Sequence, residues 1–300
     1  MPRGPYDALL SAETLESVQG LTLLARGIVE GFMTGVHRSP HLGVSVEFAE
    51  YREYVPGDPL RTLDWQVYAR TDRYVVRRFH EETNLRACVV LDQSKSLDFT
   101  GDVARPTKFR FAIGLAAALI HILTRQRDAV GLVSFASRMG RYFPPRSSPA
   151  AMREMFDYLS RCKPGGKTMA ADTIHQVAER MPRRSLVLVI SDLLADKDEV
   201  AAALNHLRHK RCEVIVLQVL DPAELDFPYR GLNDFKDLED GELLEADADA
   251  LREAYAKEMQ DFLDGWRKTC GDARIEHHVL TTDQRFDRAL AAVLHARTKW

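Results

Sequence analysis

The stretch ACVVLDQSKS, residues 87–96, sets the reading of the whole chain. Its opening is a short, unbroken apolar run of the kind that fills a strand covered on both faces. The run stops on a carboxylate, Asp92, and hydroxyls follow at Ser94 and Ser96. A strand ending in Asp92 and passing into a polar loop delivers three oxygen-bearing side chains, spaced by two, to one end of a sheet. These are hard donors that can converge on one cation. A set with few carboxylates and several neutral oxygens suits Mg2+, which keeps water in its octahedral shell.

From residue 86 onward, short apolar runs alternate with longer stretches of helical periodicity. Strands are expected at 87–91, 129–135, 185–191, 212–220 and 275–280, and helices at 108–127, 149–161, 170–181, 197–210, 249–269 and 285–296. Such alternation predicts an α/β fold: a doubly wound, mostly parallel, Rossmann-type sheet with helices on both faces. Ligands of these sheets bind beyond the carboxyl ends of the strands, where strand order reverses. Once a short edge hairpin is counted, the fourth strand in sequence flanks that point beside the first. It reads SLVLVISD and ends in Asp192, so a second carboxylate faces the crevice. The loop PGGKT, residues 164–168, precedes a helix and can bring the Thr168 hydroxyl to the same spot. FKDLEDGELLEAD, residues 235–247, holds an Asp240-Gly241 pair between two short runs and predicts a β-hairpin insertion near 221–248.

Ahead of the sheet, leucines and valines at helical spacing predict a helix over 12–33. Alternation at 44–48 and 74–79, with a Pro-Gly-Asp turn at 56–58, predicts a small β-containing region. The expected organisation is an N-terminal helix and small β region over 1–85, then an α/β domain over 86–300.

Composition narrows the function. The 300 residues are 45% hydrophobic and 28% charged with a net charge of -3, which disfavours a role in coating nucleic acid, since that work needs a basic excess. The four cysteines, Cys88, Cys162, Cys212 and Cys270, form no CxxC pair and read as reduced packing residues. The acidic N-terminal segment lacks the apolar core of a secretory signal. The most apolar helical run, residues 113–123, is far shorter than the ~20 residues needed to cross a bilayer. A cytoplasmic protein without a membrane span is expected.

Taken together, DxSxS after the first strand, a threonine in a glycine-containing loop and an aspartate closing a later strand resemble the metal-ion-dependent adhesion site of von Willebrand factor A domains. The likeness spans residues 86–300, and all five motif positions are filled. It implies that Asp92, Ser94, Ser96, Thr168 and Asp192 hold Mg2+ or Mn2+, directly or through water, and that a partner protein offers an Asp or Glu as the last ligand. Two positions depart from the pattern: Leu97 stands where Met is frequent after the second serine, and Leu193 where many such domains have Gly. They bear on loop geometry, not on the ligand set.

The preceding segment, GVSVEFAEYREYVPGDPLRTLDWQVYAR over 43–70, followed by Glu81-Glu82, is similar to the lead-in of the bacterial family called domain of unknown function 58. The matching residues are Glu47, Phe48, Arg52, Tyr54, Gly57, Asp58, Arg61, Asp64, Trp65, Ala69 and Arg70. That resemblance implies a partner among MoxR-type AAA+ ATPases, or a client delivered to one, and hence an adaptor in complex assembly or maturation.

Plainer readings of the same residues remain. Asp92 and Asp192 could each cap a helix N-terminus. GGKT could suggest a phosphate-binding loop, but GxxxxGK[ST] needs a glycine where Arg161 stands. The arginines at 52, 61, 70, 73, 77 and 78 are interleaved with acidic residues and read as internal ion pairs. His277 and His278 are adjacent on a strand and point to opposite faces, so both read as structural. Lys95 and Lys167 lie inside the ligand loops, where they could favour an acidic partner surface or be solvated loop lysines. An enzyme reading, a metal-dependent phosphohydrolase with Asp92 as nucleophile, lacks a second Asp at position 94 to act as acid and base. A structural adaptor whose site stays empty is the third alternative.

Overall fold

The computed structural model describes residues 12–37, 51–53, 65–77 and 85–297. The chain divides into two compact units, one made of Met1–Met33 with Leu85–Trp300, the other of Thr34–Asn84. A short helix, α1 (Ala12–Leu15), precedes α2 (Val18–His37). Leu21, Leu24, Ala25, Ile28, Val29 and Phe32 recur at three- and four-residue steps on α2 and are all buried. Most of this helix therefore lies with the larger unit, so the expected 1–85 grouping of helix and small β region is not the division observed.

In the smaller unit, β1 (Tyr51–Glu53) pairs antiparallel with β2 (Val75–Arg77), and α3 (Trp65–Thr71) lies between them in sequence. Tyr68 and Tyr74 stack with ring centroids 4.4 Å apart. The alternation expected at 44–48, the turn at 56–58, and Glu47, Phe48, Tyr54, Gly57, Asp58, Arg61, Asp64, Arg78, Glu81 and Glu82 fall outside the described residues.

The larger unit continues with β3 (Arg86–Asp92), a 3-10 turn (Lys95–Asp98), α4 (Lys108–Arg125), β4 (Ala129–Phe135), β5 (Met139–Arg146), α5 (Pro149–Leu159) and α6 (Ala170–Arg180). Then come β6 (Leu186–Ser191), α7 (Lys197–His209), β7 (Glu213–Leu220), α8 (Pro222–Asp226), β8 (Leu232–Lys236), β9 (Leu243–Asp247), α9 (Ala248–Asp272), β10 (Glu276–Thr281) and α10 (Asp287–Arg297). The main sheet has the order β10-β7-β6-β3-β4-β5. Its strands run parallel except β5, which returns antiparallel along β4. Counted by sequence, this is the Rossmann order with its third strand reversed, and order reverses between β3 and β6.

Every residue of β6, and all of β3 after Arg86, is buried, as expected of strands covered on both faces. One face packs Val90, Val189 and Val216 against Ile174 and Val177 of α6, Leu204 and Leu207 of α7, and Trp266 of α9. On α4, apolar side chains from Phe109 to Leu123 are buried almost all the way round. Its Phe111 meets Phe286 edge to face at 4.6 Å. β8 and β9 form a separate antiparallel hairpin, the insertion expected from the Asp240-Gly241 pair, and Gly241 takes φ +80° at its turn. Among the described residues no helix is long and apolar enough to cross a membrane.

Candidate metal centre

Asp92 closes β3 and Asp192 follows β6, the two strands flanking the reversal point, so parallel pairing brings both carboxylates to one crevice. Both are fully buried, as is Ser94. Each aspartate accepts a hydrogen bond from the N–H two residues on: Asp92 from Ser94 at 2.8 Å and Asp192 from Leu194 at 3.2 Å. These are local turns, and neither residue caps an α-helix; the cap of α7 is Asp196. The second oxygen of Asp92 accepts from the Ser191 hydroxyl at 2.6 Å, and the Ser94 and Ser96 hydroxyls lie 3.0 Å apart.

The threonine loop is laced to the serine loop by backbone. Lys95 N–H donates to the Gly166 carbonyl at 2.9 Å, and Gly165 N–H donates to the Gln93 carbonyl at 2.8 Å. Gly166 has φ +81°, and a Cβ there would stand 2.4 Å from Ser137 Oγ, so this crossing requires glycine. Thr168, half-buried at the end of the loop, donates its hydroxyl to Glu239 Oε1 at 2.8 Å. Beside it lies a groove of about 460 Å³ lined by Thr168, Met169, His175, Asp196 and Glu199.

One residue that sequence reasoning did not single out dominates the electrostatics. Lys108, the first residue of α4, is fully buried and its ammonium donates to Asp192 Oδ2 at 2.9 Å and to Glu224 Oε1 at 2.7 Å. Burial pulls its pKa down, but the charges of Asp192 and Glu224 outweigh that and raise it, so it is an ammonium. Burial raises the Glu224 carboxyl, against the pull of Lys108. Asp92 is pushed up to about 7, first by burial and then by the charge of Asp192, with hydrogen bonds from Ser191 and Ser94 opposing. A lysine opening an apolar helix has no local signature. Glu224 does, since Asp221-Pro-Ala-Glu224 forms the capping box of α8.

Do these residues fit a divalent ion? Lys108 faces Asp192 and Glu224, and Asp192 in turn acts on Asp92; with all three carboxylates ionised, one ammonium leaves an excess of two negative charges that a 2+ ion would cancel. Neighbouring ligand oxygens on an octahedral ion with bonds of about 2.0–2.1 Å lie about 2.9 Å apart. The Ser94 and Ser96 hydroxyls, hydrogen-bonded to each other at 3.0 Å, stand near enough to take two neighbouring positions. The donor set is carboxylate and hydroxyl. Among the described residues, here included, no three His, Cys, Asp or Glu side chains come together to hold an ion, so a metal here would rest on the two aspartates and on hydroxyls. The residues fit a hard ion such as Mg2+ or Mn2+.

The flanking positions explain two sequence features. Leu193 has φ +61° with its side chain in the core, so the glycine usual there in the resembling domains answers a left-handed backbone that this chain imposes on leucine. Lys95 pairs with Asp98, and Lys167 lies 3.6 Å from Asp240, so both rim lysines already have carboxylate neighbours.

The chain is 29% identical over 267 residues to an uncharacterized protein of Mycobacterium tuberculosis, covering 86% of this chain and 80% of that one. A Mycobacterium bovis protein matches with the same figures. Among solved structures, BatB from Bacteroides thetaiotaomicron is similar in fold, with TM-score 0.51 at 20% identity, covering 72% of this chain and all of that one. The SpRpn10 VWA domain matches with TM-score 0.41 at 11% identity, over 69% of this chain and 94% of that one. With residues 50–262 matched by the family described as protein of unknown function DUF58, the chain belongs to that family.

Proposed function

We propose that this chain is a non-enzymatic, divalent-metal-dependent protein-binding module, acting in the cytoplasm as adaptor for a MoxR-type AAA+ ATPase or for a client delivered to one. The observation that carries the reading is the buried crevice in which Asp92, Asp192 and Glu224 outnumber the Lys108 ammonium beside the paired hydroxyls of Ser94 and Ser96. Ser94, Ser96 and Thr168 would offer neutral oxygens, and Asp92 and Asp192 negative ones. A bound Mg2+ or Mn2+ would supply an electrophilic position open to a carboxylate from outside. Few direct negative ligands leave such a position attractive to an Asp or Glu of the partner. The family resemblance supports the class of partner.

The phosphohydrolase alternative fares worse. The Asp92 oxygens accept from the Ser94 N–H and the Ser191 hydroxyl, and neither group is an acid or base at neutral pH.

Thermal melts with Mg2+ or Mn2+ test the reading. Metal at 100 times its Kd should stabilise the fold by about 2.7 kcal/mol through mass action, and Asp92→Ala should abolish the effect. Co-purification of a native partner should fail in chelator, and the chain should not turn over ATP or a generic phosphate ester. An unchanged wild-type Tm at millimolar metal would count against an intact site.

A further inference from the structure

The β8–β9 hairpin brings a carboxylate of the chain's own to Thr168, one of the five candidate ligands. Its tip is a tight turn in which Asp237 N–H donates to the Glu242 carbonyl at 2.8 Å and Gly241 N–H donates to the Asp237 carbonyl at 3.1 Å. The Asp237 side chain accepts from Glu239 N–H at 2.6 Å and Asp240 N–H at 3.1 Å, which orients the acidic residues that follow. Those two backbone bonds hold the Asp237 carboxyl below its ordinary pKa.

Two side chains of this tip touch the threonine loop. Glu239 Oε1 accepts from the Thr168 hydroxyl across 71 residues of sequence, and Asp240 lies against Lys167. The 2.8 Å between Glu239 and Thr168 is a hydrogen bond, and it sets the Glu239 carboxylate directly beside the hydroxyl of this candidate ligand.

The rest of the hairpin is held unevenly. Next to the turn, Phe235, paired with Leu244, packs with Phe227 and Tyr229, ring centroids 5.7 and 5.5 Å away, and Phe227 stacks on Tyr255 at 4.4 Å. Leu232, Leu243 and Leu244 are exposed by 62% or more, so little apolar burial fixes the strands. An isolated two-stranded ribbon is marginal in water. The Phe235 ring contacts and the polar contacts with Thr168 and Lys167 together hold the tip.

We infer that Glu239 is the resident carboxylate of this centre, standing at Thr168 where the partner's Asp or Glu would bind. This rests on the metal-binding reading above and adds to it the identity of the group a partner displaces. A partner carboxylate then competes with one already in place, and the Glu239 side chain leaves Thr168 when the partner enters.

Mn2+ alone is the probe. Wild type, Glu239→Gln and Asp92→Ala are titrated calorimetrically, and hydrogen exchange of the 238–242 amides is followed with and without Mn2+. Glu239→Gln should keep the metal-free Tm of wild type, since the residue lies on an exposed hairpin. It should bind Mn2+ on the order of tenfold more weakly. Mn2+ should slow exchange at the tip in wild type but not in Glu239→Gln. If wild type binds Mn2+, Asp92→Ala does not, and Glu239→Gln matches wild type in both affinity and exchange, the assignment of Glu239 is wrong while the metal site stands. If wild type binds no Mn2+, both the site and the assignment fall.

Discussion

Lys108 shows how a single side chain can set the charge of a site that its sequence neighbourhood does not announce. Its ammonium is buried against two carboxylates, and removing one member of such a network leaves the others uncompensated in a poorly solvated place. Lys108→Met, close in volume but uncharged, should destabilise the chelator-treated protein by about 3–5 kcal/mol in urea or guanidinium unfolding. A loss under 1 kcal/mol would mean that Asp192 and Glu224 reach solvent. Spacing alone groups Asp92, Ser94 and Ser96 as candidates, and the structure brings their side chains together. Thr168 and Asp192 needed the strand order as well. Lys108 was not legible: the Thr107 cap opening α4 explains a following lysine as an ordinary first-turn residue. Lys95 and Lys167 were expected inside the ligand loops, as a partner rim or as solvated lysines; their pairing with Asp98 and Asp240 depends on a 3-10 turn and on a hairpin folding back, and neither shows in local pattern.

Among the elements, the five parallel strands were readable because runs such as Leu186–Ser191 have no competing interpretation. β5 was anticipated only as an unplaced edge hairpin. Its sequence, MGRYFPPR, breaks alternation with two prolines, and an edge strand tolerates them because one side of its backbone needs no partner. The loop that carries Thr168 is where element geometry can be tested most directly. Gly166→Ala places a Cβ against Ser137 in left-handed backbone and should cost about 1–2 kcal/mol. It should also shrink the metal-induced shift in Tm, because the Gly166 carbonyl is what accepts from Lys95. Gly165→Ala, where a Cβ would meet nothing within 4 Å, is the matched control and should leave both readouts near wild type. Equal effects from the two substitutions would show that the lacing of the loops does not depend on this backbone conformation.

At the scale of the molecule, acid sensitivity follows from β10. His277 hydrogen-bonds Gln218 at 2.9 Å, and burial, then the neighbouring charges of His278 and Arg267, lower its pKa to about 4. The unfolded chain binds a proton at an ordinary histidine near 6.5 before the folded chain does. Its contribution to stability is therefore present above about pH 6.5 and is lost as pH falls toward 4. Without metal, Asp92 gives the opposite slope across much of the same window, because its folded pKa of about 7 lies above its unfolded value. The difference between wild type and His277→Gln is the quantity to measure: in chelator, the variant should lose less Tm between pH 6.5 and 4.5. Parallel curves would place the His277 ring in free exchange with solvent.

The crevice is assembled from segments far apart in the chain, and that has a consequence for how the protein is made. A ribosome adding about 5–20 residues per second takes roughly 5–20 s to travel the ~100 residues from Asp92 to Asp192, and longer to reach Glu224. During that interval β3 has emerged without β6, its permanent neighbour. The pocket of opposed charges does not yet exist on a nascent chain. A partner that bound this crevice would meet only chains in which β6 has already paired with β3.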